Sequence, residues 1–291
     1  MGELLRLDGV RVSFGRKRAL DGVSLSFGGG VLVIAGPNGA GKTTLLNVIS
    51  GLIVPEEGGC RVLGVRCEDV PRVGGGPPYV RESLPPSRVR VADFVESVQA
   101  FRGVDVDAVR SNLSFLGLDP REFWGRRLGS LSAGERVKVY VSLALAIRSS
   151  LYLLDEPSSN LDMNSRGRLR NLIANYLDGG ASFVVTTHTY EYLDDLATDV
   201  LFLKGGRVAY LGSVEGSRDL CIAWFERGAR DSVLRVLTDA GVEVVHVSSS
   251  SVVFRCGEDG FSILSGVGGV RRVEVGGLKA LYATIFGGEG V

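Results

Sequence analysis

Two kinds of apolar pattern alternate along the chain. Val31 to Ala35 is continuously apolar, the mark of a strand buried on both faces. It runs into the glycine-rich stretch 36–44 and then into a helical pattern that ends at the Gly51 stop signal. Ahead of it, Leu4 to Val12 and Val23 to Phe27 read as strands with the basic turn Arg16-Lys17-Arg18 between them. From Pro71 to Pro86 the chain is rich in Gly and Pro and reads as a loop. Helical periodicity follows at Val91 to Phe101, Val106 to Leu116 and Glu135 to Arg148. Strand patterns resume at Leu151 to Leu154, Ser182 to Thr186 and Val200 to Leu203, and Gly205-Gly206 then reads as a hairpin.

Beyond about Ser217 the texture changes. Strands are expected at Leu220 to Phe225, Val242 to Val247, Ser251 to Arg255 and Val270 to Val275. Helices are expected at Asp231 to Ala240, near Asp259 to Ser265 and at Leu278 to Phe286. The β-α-β-β-α-β order is the ferredoxin-like arrangement. The chain is therefore read as an α/β unit over 1–216, with a helical insert at about 85–148, and a small α+β unit over 217–291.

Composition narrows the function classes. Lys+Arg and Asp+Glu balance at 33 each, so no global attraction to nucleic acid or an anionic surface is expected. The longest apolar helical candidate, Val139 to Ile147, falls far short of the roughly 20 residues of a membrane span. Met1 to Val12 reads as a strand and not as a signal peptide. Cys60, Cys67, Cys221 and Cys256 form no CxxC or zinc spacing and are expected as reduced thiols, with a Cys60–Cys67 bridge the lesser alternative.

Gly36-Pro37-Asn38-Gly39-Ala40-Gly41-Lys42-Thr43-Thr44 matches G-x-x-x-x-G-K-[ST] between a predicted strand and a predicted helix. Glycines let backbone N–H groups turn inward around a phosphate, and the following helix directs its positive end at the same anion. Lys42 supplies charge to the β- and γ-phosphates, and the Thr43 hydroxyl is suited to Mg²⁺. The apolar run Leu151 to Leu154 ends in Asp155-Glu156. Strand ends in a doubly wound sheet reach the ligand crevice, so Asp155 is assigned to Mg²⁺ and Glu156 to the attacking water, its side chain directed away from that of Asp155 by strand alternation. His188 follows a further strand and is expected at the same crevice.

In this order and context Leu131-Ser132-Ala133-Gly134-Glu135 resembles the LSGGQ signature of the ATP-binding cassette (ABC) family, and the resemblance covers about residues 3 to 215. Ser132 and Gly134 match; Ala133 and Glu135 depart. The resemblance implies an ABC-type nucleotide-binding domain of the P-loop NTPase fold with a helical subdomain, followed by the ferredoxin-like unit. It implies that Phe14 stacks on adenine, that Ser159 to Asp162 is the loop communicating across a dimer, and that His188 contacts the γ-phosphate. The family's Mg²⁺-sensing glutamine should lie within Tyr79 to Leu84; none is there, and Glu82 takes the position. The resemblance further implies ATP and Mg²⁺ as cofactors and a head-to-tail dimer, homo- or heterodimeric, in which Ser132, Gly134 and Glu135 close the partner's site. It also implies a separate transmembrane permease subunit holding the chain on the cytoplasmic face of the membrane. The tail favours an exporter. The alternatives are an importer subunit, a soluble ABC engine of repair, translation or cluster assembly, and a binding-only relic.

Overall fold

The computed structural model describes residues 2–83, 87–188, 192–217, 219–226, 228–256, 263–264 and 266–286. Two sheets build the first part of the chain. The antiparallel one contains β1 (Leu5–Phe14) and β2 (Lys17–Phe27). The central one opens with β3 (Val31–Ala35), which leads into helix α1 (Lys42–Ile49). β4 (Glu57–Val62) and β5 (Val65–Arg66) return to the first sheet, giving the order β2-β1-β4-β5. After the short helix α2 (Val70–Val73), the central sheet takes up β6 (Tyr79–Val80), β7 (Leu151–Asp155), β8 (Ser182–Thr186), β9 (Asp199–Lys204) and β10 (Arg207–Ser213), in the order β10-β9-β3-β8-β7-β6. Its neighbours are parallel except β10, which is antiparallel at one edge.

Side-chain alternation divides the central sheet between two cores. Leu32, Ile34, Leu151, Leu153 and Val184 pack with the first sheet and with Leu45 and Leu46 of α1. Val33, Leu154, Phe183 and Val185 pack on the other face against residues of α6 (Ala133–Leu145) and α7 (Met163–Asp178). Ahead of α6, the helices α3 (Val91–Arg102), α4 (Val106–Phe115) and α5 (Pro120–Phe123) form the insert with their own apolar cluster around Val95, Leu113 and Leu128. Asp105 and Asp119 accept backbone N–H groups at the starts of α4 and α5, which fixes where each helix begins.

The C-terminal sheet is β11 (Leu220–Phe225), β12 (Val244–Val247), β13 (Ser251–Arg255) and β14 (Val270–Val275), ordered β12-β13-β11-β14 with every neighbour antiparallel. Numbered within the tail that order is 2-3-1-4, the ferredoxin-like topology. α8 (Arg230–Asp239) covers one face through Val233 and Leu237. The helix expected near Asp259 to Ser265 lies for the most part outside the described residues. The last helix, α9 (Gly277–Phe286), covers the other face through Ala280 and Ala283. Its opposite side, Leu278, Tyr282 and Phe286, joins the core under the central sheet beside Leu193, Ala197 and Phe202. The Leu278 N–H donates to Asp194 Oδ1 at 2.9 Å. α9 is thus shared between the tail sheet and the central sheet.

Three expectations are corrected. The segment 71–86 is not all loop: Tyr79 and Val80 form β6 by pairing with Leu153 and Leu154, a contact no local pattern announces. The basic turn belongs largely to β2, with Lys17 opposite Phe14. The cysteines are not free thiols: Cys60 pairs with Cys67 and Cys221 with Cys256, each with Cα atoms 5.3 Å apart. Antiparallel pairing of β11 with β13 brings the second pair together across 35 residues of chain, which spacing rules could not anticipate.

Candidate nucleotide site

β3 delivers the glycine loop from a fully buried strand, and the loop's backbone is one that side chains would block. Gly41, at the start of α1, has φ +108°, and a Cβ there would fall 2.5 Å from the carbonyl oxygen of Ala19. At Gly36 a Cβ would lie 2.2 Å from the carbonyl oxygen of Leu203. Lys42 is largely buried and its ammonium donates to Gly36 O at 2.9 Å and Pro37 O at 3.4 Å. The charge is thus held across the loop.

A cavity of about 480 Å³ opens over this loop. Phe14, Asn38, Gly39, Ala40, Gly41, Lys42, Thr43, Thr44, Glu82, Glu156 and His188 all line it, together with Lys17 and Ala19. Phe14 closes β1 at the cavity wall and is 55% exposed. Gly36 and Pro37 do not line it; their carbonyl oxygens accept from the Lys42 ammonium.

Asp155 is the last residue of β7 and almost wholly buried. Its Oδ1 accepts from the Thr186 hydroxyl at 2.5 Å and its Oδ2 from the Tyr79 hydroxyl at 3.3 Å. Burial, followed by the neighbouring Asp155 charge, pushes the Tyr79 phenol far up and keeps it a donor. Glu156 lies past the strand end with φ +49°. Strand alternation therefore does not aim its side chain, contrary to the expectation from sequence; a left-handed residue does. A non-glycine residue in that region costs on the order of 1–3 kcal/mol and persists where surroundings over-determine it. In this protein the surroundings are two acceptors for the Glu156 N–H, Thr186 O at 3.2 Å and Thr186 Oγ1 at 2.9 Å.

Glu156 Oε2 accepts from the backbone N–H of His188 at 3.3 Å and lies 2.8 Å from its Nδ1. Burial raises the Glu156 pKa, and His188 and Lys42 only partly oppose it. A desolvated carboxylate held beside the phosphate loop is suited to taking a proton. With Nδ1 facing Glu156, the half-exposed ring turns Nε2 to the other side.

The signature-like residues are elsewhere. Ser132 caps α6: its Oγ accepts from the Glu135 N–H at 3.2 Å, and Glu135 Oε2 accepts from the Ser132 N–H at 2.7 Å, a full capping box. Burial would raise the Glu135 carboxyl, but the Ser132 hydrogen bonds and Arg126 outweigh it and the net shift is downward. At Gly134 a Cβ would lie 2.6 Å from Asn160 O, so only glycine lets α6 rest against the 159–162 loop. Asp162 caps α7, accepting from the Ser165 N–H at 2.8 Å. None of Ser132, Gly134, Glu135 and Asp162 lines the cavity of its own chain.

The family model for the ABC transporter matches residues 20–159. An ABC transporter ATP-binding protein of Pyrococcus horikoshii is 30% identical over 243 residues, spanning 79% of this chain and 90% of the relative. The chain belongs to the ABC transporter ATP-binding family. The taurine import ATP-binding protein of Escherichia coli is 32% identical over 209 residues, 70% of this chain and 80% of the relative. Among solved structures, a dimeric bacterial ABC transporter cassette matches at TM-score 0.64 and 23% identity over 72% of this chain and 98% of its own. The post-hydrolysis state of such a cassette, bound to ADP and Pi, matches at TM-score 0.64 and 24% identity over the same shares. These share the fold of an ABC ATPase cassette, and as a family member this cassette is an ATPase.

Among its described residues the cassette has no group of three or more His, Cys, Asp and Glu side chains that would hold a metal alone. Mg²⁺ takes few protein ligands and keeps waters and substrate phosphates. One hydroxyl, Thr43, with Asp155 and the cavity-lining Glu82, fits that chemistry. Sequence reasoning missed Lys17, Thr186 and Tyr79. The basic turn was the available signal for Lys17; nothing local marks Thr186 or Tyr79.

Proposed function

We propose that this chain is the ATP-hydrolysing subunit of a membrane transporter, working as a head-to-tail pair on the cytoplasmic face of a membrane beside a separate permease chain. The observation that carries the pairing is that the α6 start, with Ser132 and Gly134, presents a helix N-terminus outside its own chain's cavity. The phosphate loop supplies one half of an anion cage, and an opposing copy or a similar subunit supplies the other. Glu156 accepts the proton of the attacking water while His188 holds that carboxylate, and Lys42 neutralises phosphate charge. Thr43, Asp155 and Glu82 would hold Mg²⁺, which when bound neutralises the β- and γ-phosphate oxygens.

A second cleft, of about 560 Å³, lies between the core and the helical insert and is lined by Leu52, Pro78, Tyr79, Phe94, Val98 and Leu143 among others. Its apolar lining supports docking of a permease segment, and no described helix is long and apolar enough to cross a membrane. We take 1–216 as the cassette and 217–291 as an appended unit. The ferredoxin-like tail supports an exporter; the taurine relative's name favours an importer instead.

The deciding experiment is Mg²⁺-dependent ATP hydrolysis by the purified chain as a function of its concentration, with Glu156→Gln as control. A rate per molecule that rises with concentration and is lost in the variant supports the paired engine. Concentration-independent turnover indifferent to Glu156 removes it.

A further inference from the structure

The parallel register of β7 and β8 sets Asp155 opposite Thr186. Thr186 is wholly buried, and its single hydroxyl meets both acids of the site. Its oxygen lies 2.9 Å from the Glu156 N–H, which can only donate, so the oxygen accepts there. The hydroxyl proton is then free for Asp155 Oδ1, 2.5 Å away, which as a carboxylate oxygen only accepts. Polarity is thereby fixed in both bonds: Glu156 N–H to Thr186 Oγ1–H to Asp155. On the other carboxylate oxygen the Tyr79 hydroxyl donates at 3.3 Å.

We infer that Thr186 is a positioning residue for metal–nucleotide binding, its hydroxyl orienting the Asp155 carboxylate and pinning the backbone turn that carries Glu156. The inference rests on the proposed Mg²⁺–nucleotide site. One hydroxyl donor on each Asp155 oxygen leaves each oxygen lone-pair capacity for a metal or its waters. A donor behind a metal-binding carboxylate orients the ligand and limits its freedom before the metal arrives. Thr186 differs from a core threonine that merely fills space. Valine has the same shape, so a space-filling role survives Thr186→Val and an orienting role does not.

The test is Mn²⁺ binding to the full chain in the presence of ADP, followed by the paramagnetic resonance signal of free Mn²⁺, for the parent, Thr186→Val and Thr186→Ser. Loss of such a partner typically weakens metal affinity by about 10- to 100-fold, and that is the expected effect of Thr186→Val. Metal-free ADP affinity should stay within about twofold, and Thr186→Ser should recover most of the loss by restoring the same donor. Melting curves establish folding; if Thr186→Val does not fold, Thr186→Ala against Thr186→Ser gives the same comparison. Parental Mn²⁺ affinity in Thr186→Val, or a serine variant as weak as the valine one, overturns the assignment of Thr186 alone. A parent that binds no Mn²⁺ with ADP overturns the site reading and this assignment together.

Discussion

Glu156 Oε2 and His188 Nδ1 lie 2.8 Å apart at the ends of adjacent parallel strands, and the same carboxylate oxygen also accepts the His188 backbone N–H at 3.3 Å. The pair joins a buried acid to a half-exposed ring across the mouth of the phosphate loop. A positioned base contributes about 10²- to 10⁴-fold to a proton transfer. Glu156→Gln should lower steady-state phosphate release by that order while ATP binding persists. A variant within threefold of the parent, under conditions where the parent turns over, would exclude Glu156 as the base.

The same burial has a consequence for stability. The folded Glu156 pKa is raised, so the folded state binds its proton more readily than the unfolded chain does. Stability from this group is fully present below the unfolded carboxylate pKa, and it is lost as pH rises through the folded value. Glu156→Gln should therefore melt above the parent at neutral pH, and the difference should shrink as pH falls into the ordinary carboxylate range. Melting curves at several pH values check it; a gain independent of pH would rule out desolvation of the carboxylate as its source.

Gly134 sits within the first turn of α6, where alanine ordinarily favours helix. Contact with Asn160 O reverses the sign, since an added Cβ would lie at 2.6 Å from a backbone atom. Gly134→Ala should destabilise by about 1–3 kcal/mol, the usual cost of overpacking. Chemical denaturation measures it, and a stabilised variant would mean the 159–162 loop yields freely.

Glu135 occupies the signature's glutamine position but completes the capping box with Ser132. Glutamine serves equally well in that motif, so Glu135→Gln should leave the melting point nearly unchanged. Ser132→Ala removes the cap and should cost about 1 kcal/mol. A larger loss from Glu135→Gln than from Ser132→Ala would show that the Arg126 ion pair, at 3.4 Å, matters more than the cap.

The two disulfides close loops of different length, with separations of 7 and 35 residues. Chain-entropy reasoning assigns about 2.5 kcal/mol to the shorter loop and about 4 kcal/mol to the longer. Reductant should lower the unfolding midpoint, and Cys221→Ala/Cys256→Ala should lose more than Cys60→Ala/Cys67→Ala. Indifference to reductant would show that the bridges do not form in solution.

Much of this protein was legible in its sequence. Val31 to Ala35, the glycine loop and Lys42 are consecutive, so the strand–loop–helix unit is a local matter of apolar run, turn residues and helix start. The Asp155-Glu156 and His188 strand ends were legible for the same reason, as were the four strands of the tail and the helix after the first of them. Asp162 and Glu135 read as site residues, and their capping roles emerged only once the helix starts were placed.

The tertiary structure alone decided the relationships between distant segments. Thr186 and Tyr79 reach Asp155 through strand pairings 31 and 76 residues apart in sequence, and the left-handed turn at Glu156 depends on one of them. Cys221 finds Cys256 through sheet register. α9 divides its faces between two sheets because both sides of that helix are apolar. Local pattern determines which residues form an element and which of its faces is apolar. Which face meets which neighbour, and which hydroxyl meets which carboxylate, depends on long-range pairing that no short window of sequence contains.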